Sequence, residues 1–77
     1  MEAKAIFGEN VRRARKAAGL SQEQLAEDAG VGRSYMSDIE CGRRNPSIEI
    51  VGRIALALNV SAARLVDGIP DRLNDPV

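Results

Sequence analysis

At 77 residues the chain is bounded to one domain, and a domain near this size buries only about 60 % of the surface its unfolded chain exposes, so a partner subunit would help its stability. Hydrophobic residues make up 44 % of it, with Phe7 and Tyr35 as the only aromatics, so the expected core is aliphatic and built from packed helices. The lone Cys41 and the absence of histidine exclude an internal disulfide and most zinc and acid–base sites; no apolar run reaches the roughly 18 residues a membrane helix needs, and the N-terminus lacks a signal-peptide core.

In chain order, Met1 to Ala5 reads as a frayed start, residues 1–5 forming a flexible N-terminus. The first helix is predicted over Ile6 to Ala18, with Phe7, Val11 and Ala14 at helical spacing toward the core and Leu20 closing it beyond Gly19. Arg12, Arg13 and Lys16 fall on other faces, where they are either solvated or set against a phosphate backbone. Ser21 with Gln24 fits a capping box, in which hydroxyl and carboxamide each satisfy an amide of the first turn. Leu25, Ala26 and Ala29 make a narrow apolar stripe on this second helix, and Gly30 stands where a left-handed cap would end it.

Val31, Met36 and Ile39 then form the buried side of a third helix, from about Gly32 to Glu40. That leaves Arg33, Ser34, Ser37 and Asp38 outward, with Tyr35 beside them. Two turns with so many hydrogen-bonding side chains suit a probe better than a core element. After Gly42, which permits a positive φ, Arg43, Arg44 and Asn45 make a polar, basic loop that Pro46 keeps out of helix. Ser47 caps a fourth helix, Ile48 to Leu58, whose Ile50, Val51, Ile54, Ala55 and Leu58 mark it as the main core helix. Asn59 fits its C-terminal cap. Ser61 caps a short fifth helix, Ala62 to about Val66, ended by Gly68. Pro70, Pro76 and their acidic neighbours suggest a flexible tail over 70–77, leaving 6–69 as the folded domain. The fold class is all-α, without repeats.

The net charge of zero does not by itself suggest nucleic acid, but the charges are segregated. Residues 1–20 carry five basic and two acidic side chains, while 21–32 carry three acidic ones and no basic one. Folding can therefore still gather one positive face, or simply leave solvated helix surfaces.

Ser21 to Glu40 resembles the helix-turn-helix of the phage-repressor/Cro (XRE) type. The resemblance rests on Arg15, Gly19-Leu20-Ser21-Gln22, Leu25-Ala26, Gly30-Val31, Ile39-Glu40 with Gly42, and Asn59-Val60-Ser61. Arg33 to Glu40 followed by Arg43-Arg44-Asn45-Pro46 is also similar to small stand-alone regulators such as restriction–modification controller proteins. The resemblance implies a compact five-helix, lambda-repressor-like domain from about Phe7 to Gly68. It also implies a structural ion pair between Arg15 and Glu40, holding helix 1 to helix 3, and a phosphate contact at Gln22. In the resembling controllers the fourth and fifth helices supply a dimer interface.

The chemistry of the residues fits that expectation. A major groove admits one helix and presents base edges that differ for each base pair. Arg33 can pair bidentately with guanine, while Ser34 and Ser37 can bond a base edge or a phosphate. Asp38 can accept from cytosine, orient Arg33 or Arg43, or penalise wrong sequences. Tyr35 either stacks on a sugar, donates to a phosphate or packs as a surface ring. Arg43, Arg44 and Asn45 are expected to grip phosphate and fix register. Leu65, Val66, Ile69 and Leu73 are the candidate dimer surface; alternatively Leu65 and Val66 close the monomer core. Cys41, at a helix C-terminus beside Glu40, reads as a bystander thiol rather than a redox switch. The function expected is that of a cytoplasmic, homodimeric, sequence-specific DNA-binding transcriptional regulator on an inverted-repeat operator. The alternative is an antitoxin or protein-interaction module of the same fold. No cofactor, metal, membrane or small-molecule ligand is indicated, and nothing supplies the parts of an enzyme.

Overall fold

The computed structural model describes residues 2–69. Five helices follow one another: α1 Ala3–Ala17, α2 Gln22–Ala29, α3 Arg33–Glu40, α4 Ile48–Leu58 and α5 Ala62–Leu65. No strand occurs among the described residues. Helices α2 and α4 pack together, α1 lies against α3, and α5 closes the bundle against α1 and α4.

The first helix begins earlier than its apolar spacing suggested. The amides of Ala5 and Ile6 both donate to the Glu2 carbonyl at 3.1 Å, and Ala3 to Ala5 are helical rather than frayed. The reason is tertiary. Gly42, at φ +75°, lets the loop after α3 come so close that a Cβ there would lie 3.0 Å from the Ala5 Cα. Ile6 is fully buried alongside Phe7 and Val11, so this end of α1 has a packing partner that no local signal announces.

The helix stops follow local chemistry. Ser21 Oγ accepts from the Gln24 amide at 3.0 Å and Ser47 Oγ from the Ile50 amide at 3.2 Å, each satisfying a first-turn donor. The reciprocal half of the capping box is not made: the Gln24 carboxamide donates forward to Asp28 at 3.3 Å. Gly30 (φ 72°) and Asn59 (φ 56°) provide the left-handed turns that end α2 and α4. Ser61 precedes α5 without a side-chain cap. That single turn is too short to stand alone and is held from outside. The Asn10 carboxamide donates to the Leu65 and Asp67 carbonyls, both at 2.9 Å.

The core is aliphatic around one phenylalanine, with Leu25, Met36, Ile39, Ile54 and Leu65 at its centre. Leu65 is fully enclosed. Of the two alternatives for this residue it takes the monomer core, and as a dimer residue it is corrected: its side chain has no surface to offer a second copy. Val66 remains 38 % exposed, Ile69 is half-buried against the core, and Leu73 lies outside the described residues.

Candidate nucleic-acid interface

Helix α3 is positioned by a backbone approach and a buried ion pair. Gly8, on α1, faces the end of α3 so closely that a Cβ would run into the Ile39 carbonyl oxygen, with the Glu40 carbonyl at 3.0 Å. Such an approach requires glycine on a helix that otherwise favours alanine. The apolar spacing of α1 misses this residue. The signal that marks it is a glycine inside a helical pattern.

Beside it, Arg15 Nε donates to Glu40 Oε2 at 2.7 Å and Nη2 to Glu40 Oε1 at 3.1 Å, a bidentate pair. Arg15 Nη1 also donates to the Leu20 carbonyl at 2.8 Å, tying in the turn that follows α1. The Glu40 side chain is only 3 % exposed. Gln22 completes this pin, its Nε2 donating to Glu40 Oε1 at 3.0 Å. The sequence reading assigns Gln22 to phosphate. In the structure it is half-buried with its carboxamide turned to Glu40, so it joins helices 2 and 3 to helix 1 through one carboxylate.

What this pin presents outward is polar. Arg33 and Ser34 are exposed on the first turn of α3, and Tyr35, Ser37 and Asp38 are half-buried beside them. Gly32 stands at the N-cap without a side chain to occupy the first amides. Arg33 Nη1 lies 3.9 Å from Glu23 Oε2, with both side chains about 70 % exposed, a pairing too solvated to fix the guanidinium.

Asp38 is different. Its Oδ1 accepts from Arg43 Nε (3.2 Å) and Nη2 (3.1 Å), and its Oδ2 accepts from Arg44 Nε at 3.4 Å. Of the two arginines considered for it, Asp38 holds Arg43 and not Arg33, which pairs with Glu23, and it also takes Arg44, which the sequence reading did not offer. The Arg43 guanidinium is held above its ordinary pKa by this hydrogen bond and by the negative charge nearby. The Arg44 guanidinium carbon sits 5.2 Å from the centre of the Tyr35 ring, within the range of a cation–π contact. Asn45 is exposed at the loop's end. Cys41, at the C-cap of α3, is a free and exposed thiol. Among the described residues no cluster of acidic, cysteine or histidine side chains could hold a metal, and no helix is long and apolar enough to cross a membrane.

A short helix is thus locked on its inner side and lined with arginine, serine and tyrosine on its outer side. A helix-turn-helix family model matches residues 11–65, from the middle of α1 to the end of α5. The chain belongs to the phage-repressor/Cro (XRE) type of helix-turn-helix proteins. This regulator is 42 % identical over 66 residues to the control protein C.SmaI of Serratia marcescens, covering 86 % of this chain and 79 % of that one. It superposes on the crystal structure of the restriction–modification controller protein C.AhdI from Aeromonas hydrophila with a TM-score of 0.79 at 40 % identity, over 80 % of this chain and 94 % of that one. The biofilm master regulator SinR, solved in complex with DNA, aligns at TM-score 0.76 and 40 % identity, over 79 % and 98 % of the two chains. The relatives are regulators rather than enzymes, and this chain is a transcriptional regulator built on a helix-turn-helix DNA-binding domain.

Proposed function

We propose that this regulator binds an inverted-repeat operator in double-stranded DNA as a homodimer, with α3 in the major groove of each half-site. One observation carries the reading: the inner side of α3 is fixed by the Gly8 approach and the Arg15–Glu40–Gln22 pin, while Arg33, Ser34 and Ser37 project from its outer side. A recognition helix needs both properties, because base edges are read at hydrogen-bond distance and a loose probe cannot hold register. Arg33 reads a guanine edge; Ser34, Ser37 and Tyr35 contact base or backbone. Arg43, Arg44 and Asn45 flank the groove and grip phosphate, which positions the probe without reading sequence. Gln22 reaches a phosphate only by sharing the carboxamide it gives to Glu40.

One subunit of this size covers a half-site, and two probes on successive half-sites stand about 34 Å apart. The exposed apolar side chains Ile48 and Leu56 of α4, at 83 % and 82 % exposure, together with Val66 after α5, supply the surface that a second copy covers. Ile69 extends it. The same fold as an antitoxin or protein-interaction module is the rival reading, and it calls for no operator. The C.SmaI, C.AhdI and SinR relatives favour the DNA reading, and a cytoplasmic location accords with it.

Selection of bound duplexes from a random DNA library tests it, with Arg33→Ala run in parallel. The expected result is enrichment of an inverted repeat, with one base per half-site relaxed in the variant. A folded protein that enriches no sequence at low salt would transfer the function to a protein partner. Leu56→Glu, followed by sedimentation, tests the dimer; it is expected to yield monomers that bind the operator weakly.

A further inference from the structure

Three arginines line the proposed DNA face, and each has a carboxylate near it, but only one carboxylate holds two of them. Asp38 takes Arg43 through Nε and Nη2 and Arg44 through Nε. Each guanidinium has five N–H donors in a rigid plane, more than Asp38 takes from either arginine, so donors remain to face phosphate. The Tyr35 ring, 5.2 Å from Arg44, sets that plane from a second direction. The Asp38 side chain is itself only 29 % exposed and stands two residues from Glu40, the anchor of the buried pin. It is more enclosed than Glu23, whose side chain is 70 % exposed.

We propose that Asp38 is a specificity-determining residue, one that suppresses binding to random sequence by holding Arg43 and Arg44 in a single orientation; this rests on the DNA-reading role of α3. The physical reason is electrostatic. Binding to arbitrary DNA rises with the number of phosphates the protein neutralises. With Asp38 between them, the two arginines present one net positive charge rather than two. On the operator, where α3 seats fully, the free N–H groups meet phosphates with the guanidinium planes interposed, and the carboxylate is shielded. On a misaligned duplex the guanidiniums, kept on Asp38, cannot turn to follow the displaced phosphates, and those contacts are lost. Specificity built by penalising wrong complexes is a general device. A direct contact from Asp38 to cytosine would have to share oxygens that already accept from Arg43 and Arg44.

The test uses the full chain, the operator selected above and a random-sequence duplex of equal length. Dissociation constants are measured over a range of salt for the wild type, Asp38→Asn, Asp38→Glu, the double variant Arg43→Gln/Arg44→Gln, and that double variant carrying Asp38→Asn. Asp38→Asn is expected to bind the random duplex about fivefold more tightly, with a salt slope steeper by about 0.9, the contribution of one further phosphate contact. Operator binding is expected to change less, so the ratio of the two affinities falls. Asp38→Glu is expected to keep most of the ratio, and Asp38→Asn to have no effect once both arginines are gone.

An unchanged ratio overturns the proposal. So does a shift in the preferred base at one operator position, which would make Asp38 a base reader, or an equal effect in the arginine-free background. Matching thermal melts certify that the variants are folded; if Asp38→Asn fails that check, Asp38→Ala is read on the same duplexes. A wild type that discriminates between the duplexes while Asp38→Asn keeps the ratio removes this inference alone. A wild type that discriminates between none removes the DNA reading with it.

Discussion

Glu40 and Asp38 stand two residues apart on α3 and both hold arginines, yet the groups around them differ in every respect that matters. The Glu40 carboxylate is 3 % exposed and receives Arg15 bidentately, with Gln22 and the Leu20 carbonyl completing the network. The Asp38 side chain is 29 % exposed, and its arginines, Arg43 and Arg44, come from the following loop and are 63 % and 53 % exposed. Burial decides what each pair is for. Around Glu40 water is excluded, so breaking one partner strands a charge and the network acts as a structural pin. Around Asp38 water remains, so the pairing contributes little to stability and leaves the outer N–H groups of both arginines open to a phosphate. The same chemical pair thus serves architecture on one side of a helix and recognition on the other.

The sharpest way to break this comparison is at the pin. Glu40→Ala is expected to cost about 3–5 kcal/mol by leaving Arg15 charged and largely enclosed without its carboxylate, as urea unfolding would measure. Replacing both Arg15 and Glu40 by methionine is expected to recover much of that loss. If Glu40→Ala costs no more than Asp38→Ala, burial does not separate the two sites. Gly8→Ala comes next. Helix propensity alone would gain about 1 kcal/mol, but the added Cβ meets the backbone of Ile39 and Glu40, and overpacking of this kind costs about 1–3 kcal/mol. A net loss is therefore expected, accompanied by weaker operator binding because the angle of α3 shifts.

Ser21→Ala removes the hydroxyl that accepts from the Gln24 amide and is expected to cost about 1 kcal/mol, with DNA specificity unchanged. Asp38→Asn is the smallest in stability, within about 0.5 kcal/mol, and its whole effect is expected in the ratio of operator to random-duplex binding. A large loss of stability there would place Asp38 with the pin and erase the contrast.

Several of these features can be read without coordinates. Ser21, Gly30, Ser47 and Asn59 mark helix ends because their preferences are local: a short hydroxyl side chain satisfies an amide in its own turn, and a left-handed residue stops a helix wherever it stands. The bounds of α2 and α4 accordingly agree between sequence and structure. Ala3 to Ala5 do not, since what holds them is the close pass of Gly42 from a loop nearly forty residues on. The outward set on α3 is legible from Met36 and Ile39, whose spacing defines the inner side and so leaves the rest outside.

Sequence by itself therefore determined the order of the five helices, the caps at Ser21, Gly30, Ser47 and Asn59, and the polar turn offered to a partner, because these follow from periodicity and from side chains acting within one or two turns. Tertiary structure alone decided which polar groups meet. It turned the Gln22 carboxamide to Glu40, gave Asp38 to Arg43 and Arg44, and left Arg33 to Glu23. It also enclosed Leu65 while leaving Ile48 and Leu56 in the open. The reason is that which donor meets which acceptor depends on distances of a few tenths of an ångström, set by the path of a loop or by the packing of separate helices, which no helical preference encodes.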